Sequence, residues 1–280
     1  METTYLLVGG DRRQFWLSRL LVSRGRVFLR AVPGLEDSLP PAPADVLILP
    51  TPCLDRRGLL RTAGEGLEPG TLAGLIDAHT RVYGGALPTD LKARLPGCGP
   101  VTDLLADPAV AAANGRLTAE AAAALVSERL EGSLFGLRCL VLGYGRVGKP
   151  LAALLESLHA RVTVAARRPG VRAEAAQRGF GTLDFPELGA PWDLVFNTVP
   201  APALSEAALQ ALGADCLWVE LASAPGGLPE GWRPAFPVLP ANSLPGRRLP
   251  RSAAAVLLEG ILNREASEPA RDGPRPGRRV

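Results

Sequence analysis

The chain has 280 residues, 47% of them hydrophobic, which is enough for two α/β domains of ordinary size. A net charge of +3 without a clustered basic face predicts no nucleic-acid partner. No apolar run reaches the ~18–20 residues of a membrane span, and no basic, apolar leader opens the chain. We therefore expect a cytoplasmic protein without a membrane partner.

The first 116 residues are predicted to form an α/β domain that serves the substrate or a partner. Short apolar segments predict strands at residues 4–8, 26–31, 45–49 and 80–83, and helical spacing predicts a helix at 14–22. Strands that alternate with helices favour parallel pairing, so we expect a flavodoxin-like domain.

An alanine-rich stretch, residues 117–132, is predicted to be a helix that connects two domains. Thr118 is placed near its N-cap, and Glu120 brings negative charge to the first turn, where the helix dipole favours it.

Residues 133–249 are predicted to form a Rossmann domain, a doubly wound parallel sheet. The pattern places strands at 137–142, 161–165, 194–197, 216–221 and 236–239, with helices at 146–158, 171–177 and 204–212. A closing helix at 250–266 should pack back toward the N-terminal domain. Residues 267–280 lack apolar residues to bury, so we predict a disordered tail there.

The four cysteines, Cys53, Cys98, Cys139 and Cys216, form no C-x-x-C pair and no cluster with histidine. This spacing predicts no metal site, and Cys139 and Cys216 fall in predicted strands, where cysteine is typically a small core residue.

A glycine-rich loop lies between the first predicted strand and helix of the second domain. It consists of Gly143, Tyr144, Gly145, Arg146, Val147 and Gly148. The strand before it and the helix after it make the pattern typical of dinucleotide binding, because glycines allow the tight turn, the approach of the pyrophosphate and close helix packing. We predict that this loop binds the pyrophosphate of a nicotinamide cofactor.

The second predicted strand of this domain is followed by Ala166, Arg167 and Arg168, without the acidic residue that would bind the ribose hydroxyls of NAD. Arginine pairs well with a 2′-phosphate, so NADP is predicted and NAD remains possible. The alternative is that both arginines stack on the adenine or face solvent.

Two further strand ends are predicted to line the cofactor, because open α/β sheets bind ligands at the carboxyl ends of their strands. They contribute Asn197, Thr198, Val199 and Pro200, and then Leu221, Ala222 and Ser223. Glu220, the carboxylate at this edge, either orients the loop backbone or acts in proton transfer.

Several separated motifs resemble the dipicolinate synthase A subunit family. They are Gly9-Gly10-Asp11-Arg12-Arg13-Gln14, residues 105–120, Val141 to Gly148, Asn197 to Pro200, Leu221 to Gly227, and Leu244-Pro245-Gly246 followed by Pro250 to Ala253. The resemblance covers residues 4–265 in order, and the set is more specific than its glycine loop, which many dehydrogenases share.

The resemblance implies a function. Together with a flavoprotein-like B subunit, such a protein converts 4-hydroxy-tetrahydrodipicolinate to dipicolinate, with loss of water and a two-electron oxidation. It also implies sporulation as the context and the mother cell of a spore-forming bacterium as the location. A homo-oligomer remains possible.

The resemblance further directs attention to groups that could hold a small dicarboxylate substrate. The candidates are Arg12, Gln14, Thr118, Arg251 and Ser252, of which Arg251 opens the closing helix. Glu120 or Asp11 is the candidate general base, and for both a structural role at a helix start is an equal alternative.

The sequence departs from the family at three places, with Ala121 for glycine, Ala241-Asn242-Ser243 before Leu244, and Arg251 for lysine. These departures bear on the substrate rather than the cofactor. Two rival hypotheses are another NADP oxidoreductase of shikimate or methylene-tetrahydrofolate dehydrogenase type and a non-catalytic nucleotide-binding module. The first usually relies on a lysine in the first domain, where Lys92 is the lysine present.

Overall fold

The computed structural model describes residues 2–185 and 191–267, and the predicted tail beyond residue 267 lies outside them. The chain divides into two compact units. The first contains the residues up to Val110 and those from Ala254 onward, and the second is Ala111–Ala253.

The first unit is built on a five-stranded parallel sheet. Its strands are β1 Thr3–Val8, β2 Gly25–Arg30, β3 Val46–Ile48, β4 Arg81–Gly84 and β5 Val101–Asp103. Its helices are α1 Arg12–Leu21 and α2 Leu91–Arg94, with 3₁₀ turns at Pro69–Leu72 and Leu104–Ala106. The strand order is β2-β1-β3-β4-β5, which is the order of a flavodoxin-like sheet, the class predicted from the sequence.

Apolar side chains cover both faces of this sheet, as parallel sheets require. Tyr5 and Leu7 face one core layer, and Leu6 and Val8 face the other. Ala254, Leu257 and Ile261 of the last helix belong to the first layer.

The long helix α3, Pro108–Leu130, corrects one prediction. It begins nine residues before the predicted start because Asp107 caps it, with Oδ1 accepting a hydrogen bond from the Ala109 amide at 2.8 Å, and proline follows at the first helical position. Thr118 and Glu120 therefore lie in mid-helix rather than at a helix start.

The second unit contains a six-stranded parallel sheet. Its strands are β6 Arg138–Leu142, β7 Arg161–Ala165, β8 Gly181–Leu183, β9 Leu194–Asn197, β10 Leu217–Glu220 and β11 Val238–Pro240. Its remaining helices are α4 Gly148–Ser157, α5 Pro169–Gln177, α6 Glu206–Gln210, α7 Leu244–Arg248 and the start of α8 Pro250–Ser267. The order β11-β10-β9-β6-β7-β8 is that of a Rossmann sheet, so the predicted fold class is confirmed.

The core of the second unit contains Cys139 and Cys216, as predicted from their strand positions. Burial raises the pKa of each thiol to about 12, and the charge of Asp193 adds to the effect. In the first unit, burial likewise raises the pKa of Cys53 to about 12.

Candidate functional site

In the glycine loop between β6 and α4, a side chain would clash at two of the three glycines and find open space at the third. Gly143 has φ +88°, and a Cβ there would lie 2.7 Å from Thr198 Oγ1. A Cβ at Gly148 would lie 2.2 Å from the carbonyl oxygen of Gly143, so the helix can pack closely only without it. A Cβ at Gly145, in contrast, would meet no described atom within 4 Å, which leaves space beside the backbone.

The N-terminus of α4 is available to an anion. Its N-cap residue, Val147, makes no side-chain capping hydrogen bond. Since the first amides of a helix lack partners within the helix and carry its positive dipole end, this geometry suits a phosphate group.

The helix α3 supports the loop from within the same unit. A Cβ at Gly115 would lie 2.1 Å from the carbonyl oxygen of Arg146, so glycine permits the helix to touch the loop backbone. Sequence reasoning missed this contact, because the two residues lie 31 positions apart and no local pattern connects them.

A buried polar network holds the ends of β9 and β10. Asn197 is fully buried, and its Nδ2 donates hydrogen bonds to Glu220 Oε1 at 2.6 Å and to the Val199 carbonyl at 2.9 Å. Glu220 also accepts from Trp218 Nε1 at 3.1 Å and from the amides of Ala222 and Gly227 at 3.1 and 3.0 Å. Of the two roles left open for Glu220, these bonds match the orientation of the loop backbone.

The predicted residues after β9 and β10 lie at this edge. Thr198 Oγ1 donates to the Leu142 carbonyl at 2.7 Å, which ties the end of β9 to the start of the glycine loop. Leu221 and Ala222 are buried, whereas Ser223 is exposed.

Two cavities flank the glycine loop. One of about 320 Å³ is lined by Gly145, Val147, Thr198, Val199 and Pro200 among other residues. The second, of about 450 Å³, is lined by Gly143, Tyr144, Gly145, Ala166, Arg167, Arg168, Val171, Phe185 and Val199. Among the described residues lining the second cavity there is no carboxylate.

The two arginines after β7 are exposed, and a third arginine holds the backbone that presents them. Nη1 of Arg172 donates to the carbonyls of Ala166 and Arg167 at 2.6 and 2.9 Å and pairs with Asp184 at 3.1 Å. No local pattern indicates this contact, since Arg172 lies in the helix beyond the loop.

A third concave surface adjoins the loop on the side of α4 and α5. It encloses about 710 Å³ and includes the cationic residues Arg116, Arg146, Lys149, Arg168 and Arg178. Glu174 lies among them and pairs with Lys149 at 2.6 Å, while the Lys149 ammonium also sits 5.5 Å from the Tyr144 ring centroid.

In the first unit, the predicted substrate residues after β1 differ in their contacts. Asp11 is the N-cap of α1, where Oδ1 accepts from the Arg13 amide at 2.9 Å. Gln14 is buried, and its Nε2 donates to the carbonyls of Val8 and Ile48 at 3.2 Å each. Arg12 is exposed and makes no side-chain hydrogen bond to any residue in the described ranges.

The remaining predicted residues lie on α3 and α8. Thr118 is buried, and its hydroxyl donates to the Asn114 carbonyl at 2.8 Å. Glu120 is exposed, as are Arg251 and Ser252 near the start of α8.

Known proteins share this architecture. No family model matches the chain. The dipicolinate synthase A subunit of Bacillus subtilis (strain 168) is 25% identical over 288 residues, covering 95% of this chain and 97% of the relative. The chain is similar to that protein along nearly its whole length. The resemblance predicted from the separated motifs is thereby confirmed.

Solved structures show the same fold. The crystal structure of the dipicolinate synthase A subunit from Bacillus halodurans has a TM-score of 0.82 at 23% identity, covering 95% of this chain and 98% of that one. Transhydrogenase from Sinorhizobium meliloti has a TM-score of 0.63 at 14% identity, covering 93% and 91%. The chain therefore shares the fold of these proteins, with a Rossmann sheet in its second unit.

Two further properties of the described residues concern membranes and metals. No helix within residues 2–185 and 191–267 is long and apolar enough to cross a membrane. In the same ranges, no three side chains of His, Cys, Asp or Glu are grouped so that they could hold a metal ion.

Proposed function

We propose that this chain is the nicotinamide-nucleotide-binding subunit of a dipicolinate synthase. The observation that carries the proposal is the open glycine loop on a Rossmann sheet, in a chain similar to the dipicolinate synthase A subunit over 95% of its length. The reaction is the conversion of 4-hydroxy-tetrahydrodipicolinate to dipicolinate, in which the substrate loses one water and two hydrogen atoms.

The residues of the second unit fit a dinucleotide. The space beside Gly145 and the uncapped start of α4 suit the pyrophosphate, since no Cβ and no side-chain cap competes with it. Thr198, Val199 and Pro200 line the cavity on one side of the loop, where they would bound the nicotinamide half. When bound, the nicotinamide accepts the two electrons of the oxidation as a hydride.

The preferred cofactor is NADP. Arg167 and Arg168 line the cavity on the other side of the loop, and their guanidinium groups can pair with a 2′-phosphate. Arg172 fixes the backbone that carries them, which reduces the ordering cost of binding.

An arginine reversal tests this preference. Arg167→Asp should weaken NADPH binding by roughly 10–100-fold and leave NADH binding within about threefold, because one charge-assisted contact is lost. The measurement is fluorescence titration with each cofactor. Arg161→Asp, an exposed arginine at the opposite end of β7, is the matched control and should change neither affinity. Unchanged NADPH affinity in Arg167→Asp would remove Arg167 from the site.

Proton transfer needs a base, and Glu120 is our candidate. It is exposed on α3, and its carboxylate makes no hydrogen bond or ion pair within the described chain. Asp11, the other candidate from the sequence, has both carboxylate oxygens bonded to Arg13. We therefore assign the base to Glu120 and a positioning role to Asp11.

The activity is tested together with the flavoprotein-like B subunit. The chain, its B subunit, NADP or NAD and freshly made 4-hydroxy-tetrahydrodipicolinate are incubated together, and dipicolinate absorbance and reduced cofactor are followed. Both products should appear in equal amounts, and only when both proteins are present. Cofactor binding without either product would contradict the enzyme proposal and favour a non-catalytic nucleotide-binding module.

A reductase of shikimate or methylene-tetrahydrofolate type is disfavoured by one observation. Such an enzyme would draw on Lys92, which is exposed on the four-residue helix α2 and lines none of the cavities beside the glycine loop.

A further inference from the structure

A buried guanidinium lies at the carboxyl edge of the first unit's sheet. Arg13, near the start of α1, is 6% exposed. Its Nε donates to Asp11 Oδ1 and Oδ2 at 2.9 and 3.2 Å, and its Nη2 donates to Asp11 Oδ2 at 2.7 Å. Nη2 also donates to the carbonyl oxygen of Thr51. The side chain is therefore fixed on two sides by its own unit.

One nitrogen of this guanidinium makes no hydrogen bond to the described residues. Arginine has five N–H donors, one on Nε and two on each Nη nitrogen. The bonds to Asp11 and Thr51 occupy Nε and Nη2, whereas Nη1 has no hydrogen-bond partner among the described residues. Nη1 is also not one of the polar atoms that are sealed from solvent without a partner in that part of the chain. A buried arginine thus keeps two N–H donors open to an incoming acceptor.

The position in the sheet is where open α/β folds bind ligands. In the sheet, β2 lies on one side of β1, and β3 and β4 lie on its other side. The direction in which successive strands are added therefore reverses between β1 and β3. Arg13 follows β1 and Thr51 follows β3, so the Nη2 bond spans this reversal point. Gly85, after β4, packs against Thr51, where a Cβ would lie 2.5 Å from Thr51 Cγ2.

The neighbouring side chains are less suited to a ligand. Both Nε2 donors of Gln14 are used in hydrogen bonds to the carbonyls of Val8 and Ile48, so this side chain links the ends of β1 and β3. Arg12 is exposed, and no hydrogen bond to a described residue fixes the orientation of its side chain. Only Arg13 of this trio combines burial, a fixed orientation and unused donors.

We propose that Arg13 binds a carboxylate of the ligand through Nη1, with Asp11 as the positioning residue that holds the guanidinium. The identity of the ligand, a small dicarboxylate, rests on the proposed function. The paired Asp11 leaves little net charge for a dianionic phosphate, so a singly charged, planar carboxylate group fits better.

The test measures binding of pyridine-2,6-dicarboxylate to the full chain by calorimetry in the presence of NADP. Arg13→Gln should weaken binding at least 30-fold. Arg13→Lys keeps the charge but loses the fork, so it should weaken binding about tenfold. Arg19→Gln, an exposed arginine in the last turn of α1, is the matched control and should stay within twofold. Pyridine-2-carboxylate and inorganic phosphate are titrated in parallel.

The outcomes are separable. Wild-type affinity in Arg13→Lys, or a loss in Arg12→Gln as large as in Arg13→Gln, overturns the proposal. So does a wild-type chain that binds no dicarboxylate or binds phosphate more tightly. If Arg13→Gln does not fold, as judged by circular dichroism, Arg13→Lys decides alone. Arg13-dependent binding without dipicolinate formation by the complete enzyme would instead contradict the proposed function and leave this inference standing.

Discussion

The carboxyl edges of the two sheets share a glycine turn after the first strand and differ in how the following helix is capped. In each, a glycine turn with positive φ follows a buried strand and leads into a ten-residue helix, Gly9 and Gly10 before α1 and Gly143 before α4. Asp11 caps α1 with its carboxylate, whereas Val147 leaves α4 without a side-chain cap. The N-terminus of α1 is therefore occupied by the carboxylate of Asp11, whereas the N-terminus of α4 is available to an external anion.

This difference implies that the two edges would bind their ligands through different groups. At α4 we expect the backbone amides to be the binding groups, so the glycines of the loop would determine whether a ligand fits. At α1 the carboxylate takes that place, and a side chain, Arg13, carries the unused donors. A ligand of the second unit is expected to be bound by backbone and one of the first unit by a side chain.

The largest expected effect comes from filling the open edge. Gly145→Val adds atoms where a Cβ meets nothing within 4 Å, so the described chain accommodates it, but the pyrophosphate loses its space. We expect NADPH affinity to fall by about 100-fold or more, which corresponds to roughly 2.7 kcal/mol. Fluorescence titration measures it.

Gly213→Val is the control for that change. A Cβ at Gly213 also meets no described atom within 4 Å, and the residue lies after α6, outside the lining of the cavities beside the loop. It should leave both stability and affinity unchanged. NADPH binding to Gly145→Val at wild-type strength would show that the cofactor does not pass over this backbone.

A second effect of intermediate size compares the carboxylates of the two edges. Glu220→Gln places amide hydrogens against the donors of Asn197, Trp218 or Gly227, so we expect a loss of about 2–3 kcal/mol in the free energy of unfolding. Asp11→Asn keeps a good capping residue and loses mainly the pairing with Arg13, so about 1 kcal/mol is expected. Urea unfolding measures both.

Asp103→Asn is an internal reference for these two variants, since its carboxylate also accepts backbone amides, from Ala86 and Leu87 at 3.1 Å each. A larger loss in Asp11→Asn than in Glu220→Gln would reverse the expected order. It would mean that the first edge depends more on its carboxylate than the second does.

Local patterns in the sequence predicted one edge better than the other. The glycine loop and its flanking strand and helix follow from residues adjacent in the chain, as do Arg167 and Arg168 after β7. The strands β5 and β8 were missed because Val101 and Leu183 are the single large apolar residues in them, which is too little for an apolar run or a periodic signal. The early start of α3 had a signal, Asp107 before Pro108, that the alanine-rich stretch obscured.

Neighbouring residues with similar chemistry show why the first edge was harder. Arg12 and Arg13 differ in sequence by one position, but that step rotates a side chain by about 100° around a helix. The turn leaves Arg12 exposed and buries Arg13 against Asp11 and Thr51. Thr51 lies 38 residues away, so no local pattern could have distinguished the two arginines.

The smallest effect uses the buried thiols to compare the units. Burial raises the pKa of Cys53 in the first unit, and of Cys139 and Cys216 in the second, from 9.0 to about 12. A thiol whose folded pKa is raised favours the fold while it is protonated, so stability begins to fall as pH approaches the unfolded pKa of 9.0 and falls further toward 12. Together the three thiols should cost roughly 1 kcal/mol of unfolding free energy between about pH 7 and pH 9.

The first unit also contains Cys98, a partly buried thiol whose pKa burial raises as well. In a Cys98→Ala background, two of the remaining thiols lie in the second unit and one in the first, so the second unit should lose about twice as much stability as the first. Urea unfolding in reductant at both pH values measures this, with Trp218 fluorescence following the second unit and Trp16 the first in single-tryptophan variants. Cys216→Ala should halve the pH dependence of the second unit because one of its two thiols is gone. An unchanged dependence in Cys216→Ala would mean that other groups, not the thiols, titrate on unfolding.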